Sequence, residues 1–151
     1  MSYQFELALR QYIAAFEHSN EISQEEFKTR FENLNHKDFT FLAKDGTKLT
    51  NEEIYRRDLQ TFSSGEAKVT LIHFRKIGLD CIDVKLGLIK DGEVERTVRA
   101  VTTISAGKAV KCKEIDESTE SKIFLPRQLI EAKGANFVYK WQEFGTFQTN
   151  M

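Results

Sequence analysis

His73 and Glu114 are the residue types in this sequence best suited to passing a proton between them. Imidazole titrates near pH 6.5, so histidine can accept or donate at working pH, and a carboxylate beside it can orient or charge it. Asp58 and Tyr55, in "IYRRDLQ", add a carboxyl and a phenol among apolar neighbours. Arg75 and Arg96 could hold an anionic ligand at a pocket rim, and Thr102 and Cys112 could line it. Each group also has an ordinary structural explanation. A histidine on an apolar face often hydrogen-bonds a core partner, a strand-end glutamate reaches solvent, and arginines snorkel to water. Asp58 has Arg56 and Arg57 nearby as plain ion partners. His, Cys, Asp and Glu do not cluster at metal-ligand spacing, and neither a glycine-rich phosphate loop nor a nucleophile elbow occurs, so we expect no metal and no cofactor.

These residues are placed by a change of period. Phe5, Ala8, Leu9, Tyr12, Ile13 and Phe16 recur at helical spacing and predict an amphipathic helix over 3–18. Ser23 with Glu26 reads as a capping box before a helix over 23–35, and Thr50 with Glu53 as another before a helix over 51–63. Between them "DFTFLAKDGTK" reads as a short strand and a turn at Asp45-Gly46. From Glu66 the period falls to two, predicting strands over 66–77, 80–89, 94–105 and 108–115. Their linkers are too short for anything but antiparallel neighbours, so the expected layout is α+β, three N-terminal helices on an antiparallel meander.

Turn lengths then predict which way side chains point. Three-residue loops at Lys90-Asp91-Gly92 and Ser105-Ala106-Gly107, and a two-residue loop at Gly78-Leu79, put Val69, Leu71, Ile82, Val84, Leu86, Leu88, Val94, Val98, Ala100, Ile104 and Val110 on one apolar face. His73, Arg75, Arg96, Thr102, Cys112 and Glu114 are the polar exceptions on that face. His73, Val84, Val98 and Glu114 form one row, its ends about 14 Å apart in a flat sheet. Arg99 is predicted to point outward opposite Asp83, an exposed ion pair contributing no more than about 1 kcal/mol.

With 30% charged residues and a net charge of −1, nothing pulls the chain toward nucleic acid or an anionic membrane. Glu6, Arg10 and Glu17 interrupt the apolar core a signal peptide would need, and no stretch approaches the ~20 apolar residues of a membrane span. Cys81 and Cys112, outside any CxxC pair, are expected as reduced thiols of a cytoplasmic protein. Residues 117–151 differ in character. A polar "DESTESK" precedes Pro126 and Gly134, which could bound a short helix, and Phe137, Tyr139 and Trp141 alternate as in an extra strand. We expect this extension to cap a pocket or meet a partner subunit.

Over residues 3–116 the chain resembles the nuclear transport factor 2-like (SnoaL-like) superfamily. The likeness rests on the order of elements, on "FTFLAKDGTKLTNEEI" leading into the third helix, and on the closing hairpin "VTTISAGKAVKCKEI". It implies a strongly curved, cone-shaped α+β barrel around a pocket that the helices close. It also implies an inward carboxylate on the last meander strand, matched by Glu114, as in the epoxide hydrolase branch. That branch carries an inward arginine and aspartate on a neighbouring strand where this chain has Val84 and Leu86, which argues against epoxide hydrolysis. The expected function is a pocket for an apolar or ring-containing small molecule, with lyase or isomerase chemistry that needs no cofactor. The alternative is a non-catalytic ligand-binding or dimerisation module. A homodimer through the outer sheet face is expected, with Phe74, Val101 and Thr103 as its apolar area.

Overall fold

Ser23 and Thr50 start helices where their spacing to Glu26 and Glu53 indicates. Ser23 Oγ accepts from the Glu26 amide, and Thr50 and Glu53 make both bonds of a capping box. The computed structural model describes residues 2–116. The extension over 117–151, with its expected helix and strand, lies outside the described residues. Helices α1 (Ser2–Glu17) and α2 (Gln24–Leu34) are followed by β1 (Asn35–Leu42), the short β2 (Lys48–Thr50) and helix α3 (Asn51–Ser64). The strands β3 (Ala67–Lys76), β4 (Cys81–Lys90), β5 (Glu93–Ser105) and β6 (Lys108–Glu114) follow. None of the described helices is long and apolar enough to cross a membrane.

The sheet runs β2-β1-β6-β5-β4-β3, so the expected antiparallel meander is extended at one edge. Its one parallel pair is β1 on β6, with Phe41 opposite Cys112. The sheet curves but does not close into a barrel, because β2 and β3 remain separate edges. The apolar stripes of α1, α2 and α3 meet the concave face. Phe27 is fully buried and stacks on Phe62 at 4.3 Å, while Phe16 packs edge-on to it and Tyr12 lies tilted beside it at 5.2 Å.

Two hairpins solve the turn problem in the same way, and differently from expectation. Asp91 and Gly92, and then Ala106 and Gly107, all have positive φ, which marks two-residue turns whose twist matches the strands. Each is followed by a bulge, at Leu88/Ile89 and at Thr103/Ile104. The combined shift from the expected register is two residues, an even number, so the faces are preserved although the partners change. Leu88 lies opposite Arg96, Ala100 opposite Glu114, and Thr102 opposite Cys112. Val94, on the turn side of its bulge, leaves the inner face and is exposed.

The β3–β4 hairpin differs by an odd number. Ile77 donates to the Cys81 carbonyl, so three residues, not two, make the turn, and a bulge at Leu71/His73 restores the register beyond it. Between turn and bulge every side chain changes face. Phe74 therefore lies inside opposite Val84 and stacks on Phe5 at 6.1 Å, which removes it from the expected dimer surface. The gain from burying a phenylalanine ring outweighs the cost of one unpaired bulge residue, Ile72.

Candidate functional site

The concave face and the helices line a cavity of about 400 Å³ that is open to solvent. Its wall is largely apolar, with Phe5, Leu9, Phe39, Phe41, Ile54, Val84, Leu86 and Val98 among the lining residues. The polar groups that reach it are Tyr12, Asn35, Arg57, Asp58, Arg96, Thr102, Cys112 and Glu114.

The chemical centre is Tyr12 with Asp58, contributed by α1 and α3. The Tyr12 hydroxyl donates to Asp58 Oδ2 at 2.5 Å. Oδ1 has no hydrogen bond among the described residues. Burial pushes the Asp58 carboxyl up from 3.8 to about 6, against the opposing pull of the Tyr12 bond and the Arg57 charge. Burial, and then the Asp58 charge, hold the Tyr12 phenol well above its ordinary value, so it stays protonated as the donor. The pair is thus a carboxyl poised near neutrality and tethered by one oxygen. Asn35, at the α2–β1 junction, is 8% exposed and presents an amide on the same wall.

The sequence-predicted residues divide. Asp58, Arg96, Thr102, Cys112 and Glu114 line the cavity. Thr102 Oγ1 and Cys112 Sγ bond each other at 3.1 Å, and burial pushes the Cys112 thiol up to about 12, so it remains a neutral wall group, not a nucleophile. Glu114 Oε1 accepts from the Lys44 amide, tying the end of β6 to the β1–β2 turn. Tyr55 is a correction: it does not line the cavity, its ring packing instead on Phe31 at 5.0 Å and on Phe27 at 6.1 Å.

His73 and Arg75 are corrections of the same origin. Both lie in the segment that changes face, and neither lines the cavity. His73 Nε2 meets Asp83 Oδ2 at 2.7 Å on the outer face, so no His73–Glu114 pair forms. Arg75 stands opposite Asp83 in the register. Arg99 does bond Asp83, through Nε to Oδ1 at 3.0 Å and Nη2 to Oδ2 at 2.6 Å. This pair is not the exposed one expected, because Asp83 is 0% and Arg99 4% exposed.

Sequence reasoning passed over Tyr12 and Asn35. Tyr12 was legible only as a core aromatic. The available signal was that its helix stripe carries a hydroxyl and that of α3 a carboxyl, Asp58, and a buried hydroxyl and carboxyl seek one another.

No protein-family model matches the chain, and no curated protein sequence matches it. Solved structures do. A de novo designed nuclear transport factor 2 fold protein superposes with a TM-score of 0.56 at 14% identity, over 82% of this chain and 92% of its own. A proposed isomerase of the SnoaL-like family from Agrobacterium tumefaciens strain C58 gives 0.55 at 13% identity, over 74% and 96%. A proposed SnoaL-like polyketide cyclase from Jannaschia sp. CCS1 gives 0.53 at 10% identity, over 83% and 95%. With three helices laid on an open, curved six-stranded sheet, this chain has the fold of the nuclear transport factor 2-like (SnoaL-like) superfamily.

Proposed function

We propose that the cavity binds an apolar, ring-containing carbonyl compound and moves a proton within it, an isomerase-type reaction in which Asp58 is the general base. The observation that carries this reading is the Tyr12–Asp58 pair inside an apolar cavity, with the carboxyl raised to about 6. A base works best when its pKa lies near the operating pH. Asp58 Oδ1 takes a proton from the carbon beside the carbonyl. The C–H electron pair becomes a C=C bond, and the carbonyl pair moves onto oxygen. Asn35 donates to that oxygen as charge develops, the role of a preorganised donor. Where a C=C adjoins the deprotonated carbon the intermediate is a dienolate, and the protonated Asp58 returns its proton to the γ carbon, moving the double bond into conjugation with the carbonyl. Tyr12 holds Oδ2 throughout, so only Oδ1 swings between the two carbons.

Two of the similar structures named above, a proposed SnoaL-like isomerase and a proposed SnoaL-like polyketide cyclase, support this class of chemistry. The test needs no knowledge of the product. Bicyclic enones and aryl ketones incubated with the protein in D2O should exchange the hydrogen beside the carbonyl, followed by proton NMR. Exchange no faster than in buffer across such a panel would refute the acid–base role and leave a binding module.

A homodimer through the outer sheet face belongs to the same proposal. Ile72 and Val94, 47% and 53% exposed and meeting over Gly87, replace Phe74 as its apolar area. A monomer by light scattering at tens of micromolar would remove it.

A further inference from the structure

We propose that Arg96 makes this a site for substrates that carry a carboxylate as well as a ring. The inference rests on the small-molecule reading of the cavity and adds the substrate's charge. Among the described residues, four charged side chains reach the cavity wall: Arg57, Asp58, Arg96 and Glu114. Asp58 is engaged by Tyr12, Glu114 by the Lys44 amide, and Arg57 adjoins Asp58 and tempers its charge. Arg96 has no ion pair or hydrogen bond of its side chain among the described residues.

The register explains why. The residue directly across from Arg96 on β4 is Leu88, which offers it nothing. On the other side β6 ends where Glu114 meets Ala100, four residues further along β5. Four residues of strand are about 13 Å, and at that distance Glu114 is held by the Lys44 amide. The adjacent Glu95 is engaged elsewhere, its Oε1 lying 3.9 Å from Lys90 Nζ. The bulge at Leu88/Ile89 is what brings Arg96 inward. A guanidinium thus stands at the solvent-reaching edge of an apolar wall formed by Leu86, Leu88 and Val98. That is the geometry for a ligand whose ring lies on the wall and whose carboxylate accepts both guanidinium N–H groups.

Binding of two probes with the same ring system separates the possibilities: 2-naphthoate, and 2-acetonaphthone, which carries a carbonyl but no charge. Calorimetry on the full chain at low salt should show naphthoate about tenfold tighter, the lower range of a charge-assisted pair at an exposed rim. The preference should shrink with added salt. Arg96→Gln should bring naphthoate down to the ketone's affinity. Equal affinities in the wild type, or a preference that survives Arg96→Gln, would overturn the assignment and leave the ring-binding reading intact. Failure of both probes to bind would overturn both.

Discussion

Asp58→Asn should abolish proton abstraction while making the protein more stable. Ring opening of 5-nitrobenzisoxazole, a bicyclic probe that needs only a base to remove one C–H proton, reads the first effect. The wild-type rate should rise as pH increases through about 6, as Asp58 ionises, and then level off. Asparagine cannot accept the proton, and general-base contributions are about 10²–10⁴-fold, so the variant should lose a factor of that order. The second effect follows from the same burial. The folded state holds the Asp58 proton more tightly than the unfolded chain does. Its contribution to stability is therefore full below pH 3.8 and is lost as pH rises through about 6. That interval corresponds to about 3 kcal/mol as an upper bound. Asparagine keeps an oxygen for the Tyr12 hydroxyl without carrying the charge. Urea unfolding should therefore find Asp58→Asn about 1–3 kcal/mol more stable than wild type at pH 8, the gap closing toward pH 4. A variant that loses stability at pH 8 would identify Asp58 as a polar member of the core, and the catalytic reading would fall.

Asp83→Ala should be the most damaging single change away from the cavity. The carboxylate is 0% exposed and accepts two bonds from Arg99 and one from His73. Burial alone would push Asp83 up, but the bonds and charges of His73 and Arg99 outweigh it and hold the carboxyl below its ordinary value. Removing one member of a buried ion pair costs about 3–5 kcal/mol, because the other charge stays behind in low dielectric. Against a typical total of about 5–15 kcal/mol this is a third or more of the stability. Urea unfolding at pH 7 should show it as a lower midpoint with little change in slope. The pH dependence has the opposite sense to that of Asp58. A depressed carboxylate stabilises above its unfolded value of 3.8, and that stability is lost as pH falls through the lower folded value. Wild type should therefore carry an acid-unfolding component that Asp83→Ala lacks. A loss below about 1 kcal/mol would mean the pair behaves as an exposed surface bridge.

Local signals were enough for the helices and for the outline of the strands. Ser23 and Thr50 cap α2 and α3 through partners three residues away, and stripes such as Phe5, Leu9, Tyr12 and Phe16 meet the core because 3.6-residue periodicity is an intrachain property. Alternation at period two likewise sorted most of β4, β5 and β6 into an inner and an outer face before any register was known. Glu114, Thr102 and Cys112 reach the cavity for that reason.

What escaped the sequence was every count of one residue and every contact across long separations. Whether Gly78-Leu79 is the whole turn, or takes in Asp80, moves His73 and Phe74 between faces. Local chemistry favours neither; the stacking of Phe74 on Phe5 and the bond of His73 to Asp83 decide it. Tyr12 and Asp58 are 46 positions apart, and the Lys44 amide is 70 from Glu114. Burial of the Asp83–Arg99 pair, and the carboxyl of Asp58 raised to about 6, are likewise properties of surroundings and not of residue type. Periodicity is set by the backbone and can be read along the chain. Register, burial and charge state are set by energies summed over neighbours that only the folded chain brings together.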